Sequence, residues 1–358
     1  MSRRSRRCCA IPAKRRCARS RSAHCVCSAG KRQSRIPRQS QPNNNKFLHI
    51  TTRRMHRMKH TLNEFVDQAQ GLNLRVAVAS AHDTEVIEAL LAAREKGICS
   101  ALLFGKAAEI HKIFATLGAD ETGFTIVEPE DGSDVACARA AVHAVETGEA
   151  DYLMKGILNT TDFLRAVVHS ELLTGGLLSH VMIFEFPTYH KLLYISDGAM
   201  NPAPDVEKKR IILENAARLL QLIGYNTINA GILSGSEVVS EKIQSTVDAK
   251  ALAELDWSRY NMTVFGPAAL DLSISKEACA HKKYTAPGAG DADLLIMPNY
   301  ETGNALGKSL TYFAHARSAG IVVGARCPIV LVSRADPADA KLTSLALGAI
   351  AAHEGGKA

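Results

Sequence analysis

The sequence predicts an α/β protein built as two domains of mostly parallel sheet with helices on both faces. Three observations carry this reading. From residue 74 onwards, short apolar runs alternate with helical periodicity across short connections. Most of these runs are continuously apolar, as in strands buried on both faces, and not alternating. The roughly 300 residues after the N-terminal stretch are near the size at which one core divides. The boundaries expected are 58–175 for the first part of domain I, 176–320 for domain II, and 321–358 for the return to domain I.

Taken in order, residues 74–80, 99–105, 124–129 and 151–155 read as strands, and 84–97, 107–117 and 133–147 as helices. Such repeated units imply parallel pairing. Residues 177–187 and 191–196, joined by Thr188-Tyr189-His190, read instead as an antiparallel hairpin. A long amphipathic helix over 205–223 follows Pro204 and stops at Gly224. Beyond it, 227–233, 270–275 and 293–298 read as strands, and 241–255 and 305–316 as helices. Residues 328–332 form the last predicted strand, and Pro337-Ala338-Asp339 opens the terminal helix.

Charge divides the chain unevenly. The first sixty residues hold 18 of the 43 Lys and Arg and none of the 36 Asp and Glu, so the remainder is acidic although the whole carries +7. An acidic folded part without a basic, aromatic-interleaved patch argues against nucleic acid as its partner. The basic stretch 1–57 is too poor in large apolar residues to offset its ordering entropy and is expected to be disordered. Translated upstream sequence ahead of a start at Met55 or Met58 is the favoured reading, with a nucleic-acid arm or a transit segment as the others. No stretch reaches about 18 consecutive apolar residues, so no membrane span is expected. A cytoplasmic protein is the expectation. Four cysteines outside the basic stretch, Cys99, Cys137, Cys279 and Cys327, stand isolated and should be reduced and buried. Ligand spacing for a metal site is lacking.

Three stretches concentrate chemistry. Ser333, Arg334, Asp336 and Asp339 lie between the last strand and the terminal helix, where α/β sheets bind ligands. They could position an anion and move a proton, or simply cap the helix. Lys155, a helix cap at Thr160 or Thr161, and Arg165 could converge on one anion, or Arg165 could pair with Asp162. Gly303-Asn304-Ala305-Leu306-Gly307-Lys308-Ser309 resembles a phosphate-cradling loop but has three residues between its glycines where four are needed. Lys308 could still meet an anion. His180, in an apolar strand, reads as a core histidine, and Gly288-Ala289-Gly290 as a loop.

Together, YLMKGILNTTDFLRAV, TGGLLSHVMIF, YISDGAMNPAPD, EKIQSTVDAKAL, DADLLIMPNYETGNALGKSLTYFAHARSAGIVVGA and CPIVLVSRADPADAKLTSLALGAI resemble, in that order, the phosphate acetyl/butyryltransferase family, nearest its butyryl branch. The resemblance spans Met58 to the C-terminus. It implies two domains of isocitrate/isopropylmalate dehydrogenase-like architecture with the active site in their cleft. It also implies reversible transfer of a short acyl group between coenzyme A and phosphate, without a metal or nicotinamide, coenzyme A being a substrate. By the same resemblance Ser333 hydrogen-bonds the thiol, Arg334 faces the transition-state oxyanion, and Arg165 binds phosphate. Asp339, with Asp336 as rival, takes the thiol proton. Asn299, Gly303, Asn304 and Lys308 line the cleft for substrate, and a homo-oligomer, a dimer in the simplest case, is expected. Two other readings stand beside it: a metal- and NAD-dependent decarboxylating dehydrogenase on the same architecture, which needs an aspartate cluster not found here, and nucleic-acid binding through the basic stretch.

Overall fold

A computed structural model describes residues 59–173, 176–333 and 336–357. The basic stretch, both candidate start methionines and Arg334 therefore lie outside the described residues. The elements are α1 (Asn63–Ala69), β1 (Leu74–Ala79), α2 (Thr84–Glu95), β2 (Cys99–Phe104), α3 (Ala107–Leu117), β3 (Phe124–Val127), α4 (Asp134–Glu146), β4 (Tyr152–Lys155) and α5 (Thr160–Val168). There follow β5 (Ser179–Glu185), β6 (Leu193–Ser196), α6 (Val206–Leu222), β7 (Ile228–Leu233), α7 (Gln244–Ala253), β8 (Met262–Ala268), α8 (Leu270–Ile274) and α9 (Lys276–Lys282). Last come β9 (Leu294–Ile296), α10 (Tyr300–Phe313), β10 (Arg317–Val323), β11 (Ile329–Val330) and α11 (Ala338–Gly355).

The eleven strands among the described residues join one sheet in the order β3-β2-β1-β4-β11-β10-β5-β6-β9-β7-β8, where the sequence suggested more than one sheet. The first five are mutually parallel, as are β6, β9, β7 and β8. Between these blocks β10 runs antiparallel to both β11 and β5, and β5 antiparallel to β6, as the hairpin reading expects. The sheet thus reverses direction at a seam formed by β11, β10, β5 and β6. Strand ends from both blocks meet there.

Local chemistry explains most of the elements. Asp83, Ser133 and Asp205 cap α2, α4 and α6 by accepting hydrogen bonds from the first-turn amides of Val86, Ala136 and Lys208. Gly118 closes α3 in the left-handed conformation. The terminal helix α11 is buried nearly all round from Ala340 to Ala351, as its Ala- and Leu-rich composition requires, and it packs on α1 and α2.

Four expectations are corrected. Residues 270–275 are the short helix α8, and the strand of this unit is Met262–Ala268, which the sequence hid because Gly266-Pro267 interrupts it. Proline is tolerated there because β8 is an edge strand. Helix α10 begins at Tyr300 instead of 305, so Gly303 to Ser309 lies wholly inside a helix and forms no cradling loop. Asn159 caps α5, its side chain accepting from the Thr161 amide, and Thr160 is the first helical residue. At α11 the cap position is Pro337, with no side-chain cap, so neither Ser333 nor Asp336 is there to close a helix end.

The four described cysteines are free and buried. Burial pushes the Cys99 thiol up to about 11 and Cys327 to about 12, which keeps both inert. Among the described residues no helix is long and apolar enough to cross a membrane, and no group of three or more His, Cys, Asp or Glu could hold a metal ion.

Candidate active site

A cavity of about 490 Å³ opens at the seam of the sheet. Its floor comes from β5 and β10. Alternate strand residues share a face, which puts His180, Met182 and Phe184 together, and Gly320 and Ser318 lie opposite Met182 and Phe184 across the ladder. Helix α10 covers this floor with Asn304, Gly307, Lys308 and Thr311. The helix can lie this close because two glycines face each other: a Cβ on Gly303 would stand 2.6 Å from the Gly198 Cα. Any larger residue at either position would push α10 off the floor.

The rim is polar. Lys155, at the carboxyl end of β4, is 4% exposed, and its ammonium donates to the Gly156 and Leu158 carbonyls at 2.8 and 3.1 Å. Asn159 and Thr160 bring the amino-terminal end of α5 to the same cavity, where helix N–H groups favour an anion. Beyond β11, Ser333 and Asp336 are bonded to each other: the Ser333 amide donates to Asp336 Oδ2 at 2.8 Å, and the Asp336 amide donates to the Ser333 carbonyl at 3.1 Å. Lys341 holds the Asp336 carbonyl from α11. Opposite, Asp197 is buried and accepts from the amides of Ala199 and Met200 and from Asn201 Nδ2, which fixes the loop carrying Gly198 and Ala199 into the wall. A small apolar group on the floor and an anion at the rim would thus be neighbours.

The structure gathers part of the expected set. Lys155, Thr160, Asn304, Lys308, Ser333 and Asp336 line this cavity, and Gly303 packs behind its wall. Three residues stand elsewhere. Asp339 is exposed on the first turn of α11, its Oδ2 accepting from Arg317 Nη2 at 2.9 Å. Arg165 pairs with Asp162 at 3.2 Å and faces a separate hollow with Arg139 and His169. Asn299 caps α10 and borders a larger hollow of about 860 Å³ next to the Lys209–Asp248 pair. Arg334 lies outside the described residues. Conversely, Met182, Phe184, Thr311 and Ser318 reach the cavity without having been singled out, and His180 faces it although its apolar neighbours suggested a plain core position. Strand alternation was the signal for the first two and His180. For Thr311 and Ser318 only the assembled seam brings them in.

The model of the phosphate acetyl/butaryl transferase family matches residues 135–349, most of the chain. The chain belongs to that family. It is an acyltransferase. The family member is 38% identical over 300 residues to the phosphate butyryltransferase of Clostridium acetobutylicum, covering 82% of this chain and 99% of that one. It is 35% identical over 295 residues to the phosphate acetyltransferase of Thermotoga maritima, covering 81% and 99%. Among solved structures, a branched-chain phosphotransacylase from Enterococcus faecalis superposes with a TM-score of 0.70 at 33% identity, over 78% of this chain and 99% of that one.

Proposed function

We propose that this acyltransferase moves a short acyl group, butyryl in preference to acetyl, reversibly between coenzyme A and inorganic phosphate: acyl-CoA plus phosphate gives acyl phosphate plus CoA. The observation that carries the reading is the cavity itself, in which the apolar floor of Met182 and Phe184 lies beneath a rim bearing Lys155, Lys308, the α5 amino terminus, Ser333 and Asp336. The acyl chain rests on the floor. Phosphate sits at the cationic rim.

In the direction that consumes acyl phosphate, the Asp336 carboxylate takes the CoA thiol proton while the sulfur bonds to the acyl carbon. The carbon–oxygen bond to phosphate then breaks and phosphate leaves toward Lys155 and Lys308. Asp336 is preferred to Asp339 because it lines the cavity, whereas Asp339 is tied to Arg317 on the exposed side of α11. The phosphate role suggested for Arg165 passes to the two lysines on the same ground. Arg334, next to Ser333 in sequence, is assigned to the carbonyl oxyanion. Coenzyme A acts as a substrate, and neither metal nor nicotinamide enters these steps. A cytoplasmic homo-oligomer belongs to the same reading; the buried thiols suit a reducing compartment.

Incubated with butyryl-CoA, the full chain should release free thiol only when phosphate is present. Across a panel of chain lengths, kcat/KM should fall about 10–200-fold for each methylene removed from the preferred acyl group. Failure to release thiol with every short acyl-CoA would sink the proposal. Arg334→Gln should lower kcat about 10²–10³-fold, the range for losing one donor to a developing oxyanion. A near-normal rate would remove Arg334 from the chemistry.

A further inference from the structure

His180 borders the cavity but has no part in the steps above. It is 7% exposed, on the same face of β5 as Met182 and Phe184. Its Nε2 lies 3.3 Å from the Leu331 carbonyl oxygen, so the tautomer with its proton on Nε2 makes the hydrogen bond. Its Nδ1 is then a buried acceptor with no partner among the described residues. Burial lowers the ring's pKa against the opposing pull of Asp197, the Leu331 hydrogen bond and Asp336. A buried ring nitrogen without a partner is destabilising, and an apolar side chain of similar volume would avoid that penalty. The one bond the ring does make is what distinguishes it from such a residue.

That bond crosses the seam. Leu331 stands between β11 and the bonded Ser333–Asp336 pair, and His180 reaches it over β10. Gly320 of β10 leaves the necessary gap: a Cβ there would lie 2.9 Å from His180 Nε2 and 3.0 Å from the Leu331 oxygen, in the path of the bond. The Gly320 amide is itself anchored to Ser344 Oγ of α11 at 3.0 Å, so β10 offers a fixed frame across which the histidine can act.

We propose that His180 is a positioning residue for the acyl transfer, its Nε2–H fixing the Leu331 carbonyl and thereby the place of Ser333 and Asp336 above the apolar floor. This rests on the acyltransferase reading given above.

The test compares His180→Ala, His180→Asn and His180→Gln in the full chain. Glutamine can place an amide N–H where Nε2 stands, whereas asparagine reaches only as far as Nδ1. His180→Ala should lower kcat about 10²-fold, the penalty of a displacement on the order of 1 Å in a catalytic group. KM for acyl-CoA and for phosphate should move by less than about threefold, since ground-state binding is retained. His180→Gln should recover most of the lost kcat and His180→Asn should not; this pair carries the test if the alanine variant does not fold. A His180→Ala rate near that of the wild type, or equal rates for the glutamine and asparagine variants, overturns the proposal. Independently of turnover, long-range ¹⁵N–¹H spectra of the histidine rings in the wild-type chain should show His180 carrying its proton on Nε2, and a neutral Nδ1–H ring, which has no donor to offer Leu331, overturns it too. A wild-type chain that releases no thiol would refute the acyl-transfer reading alone, while the spectra still decide whether the bond exists.

Discussion

Asp336→Asn is expected to lower kcat about 10²–10⁴-fold, the usual contribution of a positioned general base. The substitution is chosen because asparagine retains a side-chain oxygen that can accept from the Ser333 amide, the bond that Asp336 Oδ2 makes at 2.8 Å. That bond should therefore persist while the proton acceptor is lost. A thiol is mostly protonated at neutral pH, so without the carboxylate the attacking thiolate must come from the small ionised fraction. Asp339→Asn supplies the contrast. Its carboxylate is 61% exposed and paired with Arg317, and it does not border the cavity. That variant should stay within about tenfold of the parent rate, below the range for a lost base. Steady-state kinetics with butyryl-CoA on both variants decides the matter, and a large loss in Asp339→Asn with little in Asp336→Asn would reverse the assignment.

The two aspartates also mark how far the sequence could be read. The βα alternation over 74–155 and the antiparallel pairing of the hairpin were legible because each depends on local periodicity: continuous apolar runs for buried parallel strands, and two apolar runs flanking Thr188-Tyr189-His190 for the hairpin. Strand β5 ends at Glu185 and β6 begins at Leu193, a longer connection than the three residues expected. Residues 262–268 were not legible, since an edge strand can carry a Gly-Pro pair that would disqualify a central one. Helix α10 begins at Tyr300, before the expected 305, and takes in Gly303, whose reason for being glycine is the approach of Gly198, more than a hundred residues away in sequence. The site follows the same rule. Lys155, Ser333 and Asp336 declared themselves as polar residues at strand ends, where ligands bind in such sheets. Whether Asp336 or Asp339 turns inward depends on the rotation of α11 and on Arg317 from β10, and whether Arg165 meets the cavity depends on how α5 packs against α4. Neither can be read from spacing along the chain.

Asp248→Ala should produce one of the largest stability losses available in this protein, about 3–5 kcal/mol, because it strands a buried cation. Lys209 of α6 donates to Asp248 Oδ2 of α7 at 2.6 Å, and Gln244 Nε2 donates to the other carboxylate oxygen at 2.8 Å. The pair borders the hollow of about 860 Å³, and a water-filled hollow could in principle screen it like a surface pair, worth only about 0–1 kcal/mol. Exposure decides between the regimes. The two side chains are 5% and 7% accessible, so neither can turn to solvent once its partner is gone. Thermal unfolding followed by circular dichroism should show the midpoint falling on the order of 10 °C. The double variant Lys209→Met, Asp248→Leu should recover most or all of this loss, since apolar replacement of a buried pair is often neutral or stabilising. A single variant that melts within about 2 °C of the parent would place the pair in the screened regime and show that the hollow admits water to both charges.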